Sequence, residues 1–225
     1  MPQLGCLFLL LIVTLIVLLP FLFAQIFVTA LAKLRLAPDT ALLMVMGIFL
    51  GSAINIPITK IARHEDVVMH PLAMFGMMHW LPQLRRIKRE TIIAVNVGGC
   101  LIPASLALYE TLQLLAVSGS YLFILAISVG INTVVCYWFA QPVEGIGIAM
   151  PAFLPPLVAA SSALLLAPEE APAVAFVAGV LGPLIGADLL HLRDIPRIAT
   201  GMASIGGAGT FDGIVLSGVL AAYLA

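Results

Sequence analysis

Asp188 and Asp212 are the residues of this chain best suited by type and surroundings to do chemistry. Asp188 stands in Gly182-Pro183-Leu184-Ile185-Gly186-Ala187-Asp188-Leu189-Leu190-His191, and Asp212 in Gly206-Gly207-Ala208-Gly209-Thr210-Phe211-Asp212-Gly213. Two carboxylates held together at low dielectric cannot both ionise. Such a pair keeps one shared proton, so one acid activates water while the other protonates a leaving group. That is peptide hydrolysis without a metal. Gly186, Gly206, Gly207, Gly209 and Gly213 would let the backbones close in around the acids and form the substrate-binding backbone. His191 lies three residues after Asp188, on the same face of a regular helix. With Asn96 and Glu110 it is read as a supporting group. The simpler reading is that each acid caps a helix or pairs locally, with Arg193 or His191 serving Asp188.

Other donor sets are poorer. His64, Glu65, Asp66 and His70 follow no standard zinc spacing, and Asp188 with His191 is half a metal site without a second pair. Cys6, Cys100 and Cys136 are scattered through apolar runs, which argues against a disulfide framework or a zinc knuckle. The expectation is no metal and no cofactor. Ten Lys+Arg against eleven Asp+Glu leave no basic face for a nucleic acid.

The elements that must position these acids are membrane helices. Of 225 residues, 62% are hydrophobic and 9% charged, where a soluble domain carries about 25% charged residues. A span needs about 20 apolar residues, so there is enough for roughly seven. The segments are Leu4–Ala32, Asp39–Asn55, Gly98–Val117, Tyr121–Ala140, Gly147–Ala167, Ala171–His191, and a last one ending at Ala225. The first is too long for a signal core and reads as a retained helix. None alternates with period two, so the fold class is an all-α integral membrane protein, one polytopic domain over 1–225.

Residues 56–97 form an insertion between helices two and three. Ile54, Ile56 and Ile58 alternate with polar or proline positions, and Thr91–Val95 is β-branched, so the two runs suit a short antiparallel ribbon. Val67–Trp80, with His70 and His79, reads as an interfacial amphipathic piece. Lys60, Arg63, Arg85, Arg86, Lys88, Arg89, Arg193 and Arg197 fall on one side of a seven-span chain, against Lys33 and Arg35 on the other. The positive-inside rule makes the insertion and the N-terminus cytoplasmic and the C-terminus external, in the plasma (inner) membrane. Membrane lipids are the expected partners.

Depth imposes a condition. Asp188 lies about 7–8 Å from the level of Arg193, whereas a continuous helix from Arg197 would carry Asp212 about 22 Å deep. The acids meet only if the chain breaks at Gly206–Gly209 and the last helix starts near Phe211. Three glycines in those four positions favour the break, at about 1 kcal/mol of helix cost each.

Val95-Asn96-Val97-Gly98-Gly99, Leu101-Ile102-Pro103 and the two acid segments resemble an uncharacterised prokaryotic membrane family, domain of unknown function sixteen-fourteen, over nearly the whole chain. That resemblance implies no activity. More distantly, an acid on one helix and a glycine-rich acid on the next are similar to the presenilin and signal-peptide-peptidase intramembrane aspartyl proteases. This second resemblance implies a dyad near the cytoplasmic side and a transmembrane peptide as substrate. Ala187 stands where that pattern has tyrosine, and Phe211 where it has its second glycine. Two other functions fit the residues. Glycine-interrupted helices with buried acids also mark ion-coupled transporters or channels, and a non-catalytic scaffold or lipid-binding subunit needs neither acid.

Overall fold

The computed structural model describes residues 2–34, 36–64, 88–145, 147–198 and 200–225. The interfacial piece expected over Val67–Trp80, with His70 and His79, lies outside them, as do Glu65, Asp66, Arg85 and Arg86. In chain order the elements are α1 (Pro2–Lys33), α2 (Pro38–Gly51), β1 (Asn55–His64), β2 (Lys88–Asn96), α3 (Ile102–Val117) and α4 (Tyr121–Phe139). Then come β3 (Gln141–Val143), β4 (Gly147–Ala149), α5 (Leu154–Leu166), α6 (Ala171–Pro183), α7 (Ile195–Ile198), β5 (Met202–Ile205) and α8 (Gly213–Leu224).

The chain is mostly helical. Val97–Val117, Tyr121–Phe139 and Pro168–Asp194 are each long and apolar enough to cross a membrane. The apolar helices α2, α5 and α8 are shorter. α6 is the central helix: 67% of its apolar window is buried, against 33% and 22% for the other two long stretches. Its sequence explains why. Ala171, Ala173, Ala175 and Ala178 are small and fully packed, and its residues from Ala173 to Val180 are all buried, so neighbours approach from every side. Asn132 of α4 donates from Nδ2 to the Ala178 carbonyl at 2.8 Å, a polar tie between two apolar helices.

Strands form in three places, the first of them expected and the other two departures from the helical reading. β1 and β2 pair antiparallel, with Asn55 opposite Asn96 and Ile61 opposite Thr91. That much follows from the alternation. β5 then joins the other edge of β2 in parallel, Ile92 opposite Met202 and Val95 opposite Ile205. Finally, the first residues of the expected fifth span form β4, which pairs with β3 from the preceding loop in a hairpin. Gly145 (φ 76°) and Gly147 (φ 134°) adopt backbone angles that a right-handed helix does not contain. α5 therefore starts at Leu154, with Pro155 and Pro156 in its first turn where missing N–H groups cost nothing.

The expected break in the last segment is present. β5 is followed by a turn, a short 3₁₀ stretch over Gly209–Phe211, and then α8. α3 is preceded by a wide π turn, Val97–Leu101. These two irregular pieces touch backbone to backbone. A Cβ built on Gly99 would run into the carbonyl oxygen of Gly206, and one on Gly206 would lie 2.6 Å from the carbonyl carbon of Gly99. Gly206 also has φ +69°, which L side chains rarely adopt. On the other flank, a Cβ on Gly98 would meet the carbonyl oxygen of Ile48 near the end of α2.

Gly130, by contrast, sits within α4 with open space where its Cβ would go. Gly99→Ala and Gly206→Ala are expected to cost about 4 kcal/mol or more, enough to prevent recovery of folded protein. Gly130→Ala should be neutral or gain up to about 1 kcal/mol. The yield of monodisperse protein in detergent reads the first two, and thermal unfolding of the purified variant reads the third.

Candidate functional site

Asp188 sits where α6 loosens. Beyond Pro183 the helix widens into a π turn over Leu184–Leu189, and the Leu190 N–H reaches back five residues to the Ile185 carbonyl at 3.0 Å. Widening changes which side chains share a face. His191 does not turn toward Asp188, as regular helical spacing requires. Its Nδ1 lies 3.0 Å from the Gly186 carbonyl, and its ring packs on Tyr137 with centroids 4.9 Å apart. A carbonyl only accepts, so Nδ1 carries the proton in this contact. No hydrogen bond or ion pair joins His191 or Arg193 to Asp188 among the described residues. Gly186 instead serves packing, because a Cβ there would collide with the Thr133 carbonyl of α4.

Asp212 ends the break. It has extended backbone (φ −69°, ψ 149°) and is the N-cap of α8, its Oδ1 accepting the Ile214 N–H at 2.9 Å. Its Oδ2 accepts from the Ala208 N–H at 3.3 Å. Asp is among the best residues for this position because its oxygen satisfies an N–H that the first helical turn leaves free. Phe211, in the place of a motif glycine, stacks on Phe23 of α1 at 5.3 Å and lines one of the spaces beside the acids.

The two acids line the same space. Asp188 Oδ2 accepts from the Gly206 N–H at 3.4 Å, so the turn that carries Asp212 also touches Asp188. Both acids are half-buried. Together they line a cavity of about 390 Å³, shared with Asn55, Ser204, Gly207 and Ala208. They also line a second of about 290 Å³, shared with Met150, Ala187 and Gly213. Among the described residues neither acid has a lysine or arginine in an ion pair.

The remaining expected residues fall elsewhere. Gly209 lies against Ser52, whose Oγ is 3.0 Å from Thr210 Oγ1. Glu110 is buried (3% exposed) on α3 and lines a different cavity of about 250 Å³, with Lys33, Gln113, Glu169 and Glu170. Asn96 is fully buried and caps the π turn, its Oδ1 accepting the Gly99 N–H at 2.7 Å. It acts through its neighbours, donating from Nδ2 to the Ser52 carbonyl at 2.8 Å and to Asn55 Oδ1 at 3.1 Å. Sequence reading missed Asn55 and Ser204 as lining residues. The alternation around Ile54 and Ile56 placed Asn55 on the polar side of a strand, but gave no sign of what that side faces.

The cap and the acid of Asp212 are separable by substitution. Asp212→Asn keeps an oxygen for the Ile214 N–H and should unfold close to the unsubstituted protein. Asp212→Ala should lose about 1 kcal/mol, seen as a lower thermal midpoint. Equal stability of the Ala variant would exclude the capping role.

Nothing among curated proteins or solved structures matches the chain, so the likeness to presenilins and signal-peptide peptidases gains no support from either. Residues 49–224 match the profile of a family described as a protein of unknown function, and they include β1, β2, the glycine junction, both acids and all of α8. The chain therefore belongs to the DUF1614 family.

Proposed function

We propose that this chain is an intramembrane aspartyl peptidase-like protein in which Asp188 and Asp212 work as one acid–base pair on a transmembrane peptide. The observation that carries the reading is the convergence of both carboxylates on the same cavities without a cationic partner. In that scheme a water lies between the acids. Asp212, held by two N–H donors, is the anion that takes a proton from the water as its oxygen adds to the peptide carbonyl. Asp188, with one long contact, carries the proton that passes to the departing amide nitrogen. Gly207 and Gly213 leave the cavity walls low beside the two acids.

The same reading sets the chain in the plasma membrane as one polytopic domain of seven spans. The N-terminus and residues 56–97 are then cytoplasmic and the C-terminus external. The eight-to-two split of positive charge supports this orientation. A thiol introduced as Arg86→Cys into a chain freed of its own cysteines should react with an impermeant reagent only from the cytoplasmic side. Reaction from the outside would overturn the topology.

One observation favours a second reading, an ion-coupled transporter. The π turn before α3, the π turn after α6 and the break before α8 all lie at or next to the acids, as interrupted helices do around transported ions. The two readings separate on the same variants. For a peptidase, Asp188→Asn and Asp212→Asn should each lower cleavage of a fluorogenic transmembrane peptide in proteoliposomes by about 10²–10⁴-fold. The double variant should be no worse than either, because the pair acts as a unit. Cleavage that survives either substitution disposes of the peptidase. Ion flux without cleavage, lost in either variant, would establish the transporter.

A further inference from the structure

The polar residues around Asn55 fix which way its amide points, and they do so from the backbone outward. The Gly99 N–H can only donate, so the Asn96 atom facing it at 2.7 Å is the oxygen. The other side of the Asn96 amide is then its NH₂. One of its hydrogens goes to the Ser52 carbonyl at 2.8 Å and the other to Asn55 at 3.1 Å. The Asn55 atom that receives it must accept, so it is Oδ1. The same oxygen takes a second hydrogen bond, from Ser204 Oγ at 2.6 Å. Asn55 is thereby locked with its oxygen turned inward to the sheet.

Its NH₂ is what remains. Asn55 Nδ2 has no partner among the described residues and is not one of the buried unpaired atoms, so it is open to the space it adjoins. Asn55 lines the cavity of about 390 Å³ that holds Asp188 and Asp212, and Nδ2 is the end of its amide not engaged by Asn96 and Ser204. Thr200 lines it too, and its Oγ1 is buried without a partner among the described residues. A fixed neutral donor suits a neutral acceptor, and the carbonyl oxygen of a peptide amide is one.

We infer that the Asn55 side-chain amide is a binding site for the carbonyl oxygen of a peptide amide held in the two-acid cavity. The choice of ligand rests on the peptidase reading; the orientation of the donor does not. Asn55 holds the carbonyl by one N–H···O bond while its oxygen stays engaged by Asn96 and Ser204. A charge-free donor suits this place, because a lysine or arginine would pair with the acids.

Asn55→Asp tests this with little disturbance, since both carboxylate oxygens can accept from Asn96 and Ser204 and only the donor is lost. Asn55→Ala removes the donor without adding charge. The full chain carrying Asp188→Asn and Asp212→Asn, purified in dodecyl maltoside, cannot hydrolyse by the proposed pair, so binding is read apart from cleavage. The probe is a neutral, fluorescent, acetylated and amidated apolar heptapeptide, followed by anisotropy. Either Asn55 substitution should weaken binding about tenfold, with the thermal midpoint showing that the fold is kept. Binding unchanged by both, or no binding before Asn55 is changed, overturns the inference. A measurement without any Asn55 substitution uses the heptapeptide ¹³C-labelled at one carbonyl at a time. One labelled amide I band should move to lower frequency on binding, and no movement at any position overturns the inference as well. If the probe binds through Asn55 while the unsubstituted protein never cleaves, the peptidase reading fails and the carbonyl site stands.

Discussion

Backbone contact between Gly99 and Gly206 is the constraint on which the rest of the site depends. Two chain segments far apart in sequence lie against each other there with no room for a single β-carbon on either. Their closeness lets β5 lie beside β2, turns the Gly206 N–H toward Asp188, and sets the start of the turn that ends in Asp212. A side chain at this junction would push the segments apart by about the width of a methyl group. Geometry of that order matters, because a misplacement of about 1 Å can cost a catalytic centre about 10²-fold. The glycines do no chemistry, yet the relation between the acids is set by them.

Asp212 caps a helix with the same side chain that lines the cavity. Its two oxygens are anchored by N–H groups at 2.9 and 3.3 Å, so its carboxylate is fixed before any ligand arrives. Holding a reactive group by packing and hydrogen bonds on a rigid element is what gives a site its precision. Asp188 is tied once, at 3.4 Å, to a turn rather than to its own helix. The pair thus combines one clamped acid and one looser one, and the looser acid is carried by a π turn, a form often found at functional positions.

Much of this was legible in the sequence, and the failures have physical causes. The helical segments followed from apolar run length, and the β1–β2 ribbon from alternation of β-branched residues. The break at Gly206–Gly209 followed from the helix cost of glycine. β5 did not, since Met202–Ile205 has neither strict alternation nor β-branched enrichment and becomes a strand only because β2 offers it an edge. The hairpin at residues 141–149 joins the loop after the expected fourth span to the first residues of the fifth, whose apolar character concealed its second strand. At the site, the two acids were visible as charges in apolar surroundings. His191 was misplaced because spacing assumes regular helix, and one π turn moved its partner from Asp188 to the Gly186 carbonyl. Glu110 shares the apolar setting of the aspartates, but α3 carries it to another cavity. Asn55 escaped notice because its meaning lies in a chain of hydrogen bonds across three strands, which no local pattern encodes.

The parallel pairing of β2 with β5 also fixes the order in which the molecule can be completed. Residue 92 must wait for residue 202, and all of α3 to α7 is synthesised between them. Contacts so distant along the chain are late and slow, because the loop they close must be ordered before the contact stabilises anything. Helices made earlier can enter the bilayer and pack, but until β5 arrives Asn55 lacks its Ser204 bond and Asp188 faces no turn. The cavity is thus among the last features to exist. A nascent chain passes through most of its assembly with its two acids apart, and any reactivity that depends on their meeting is withheld until nearly the whole fold is in place.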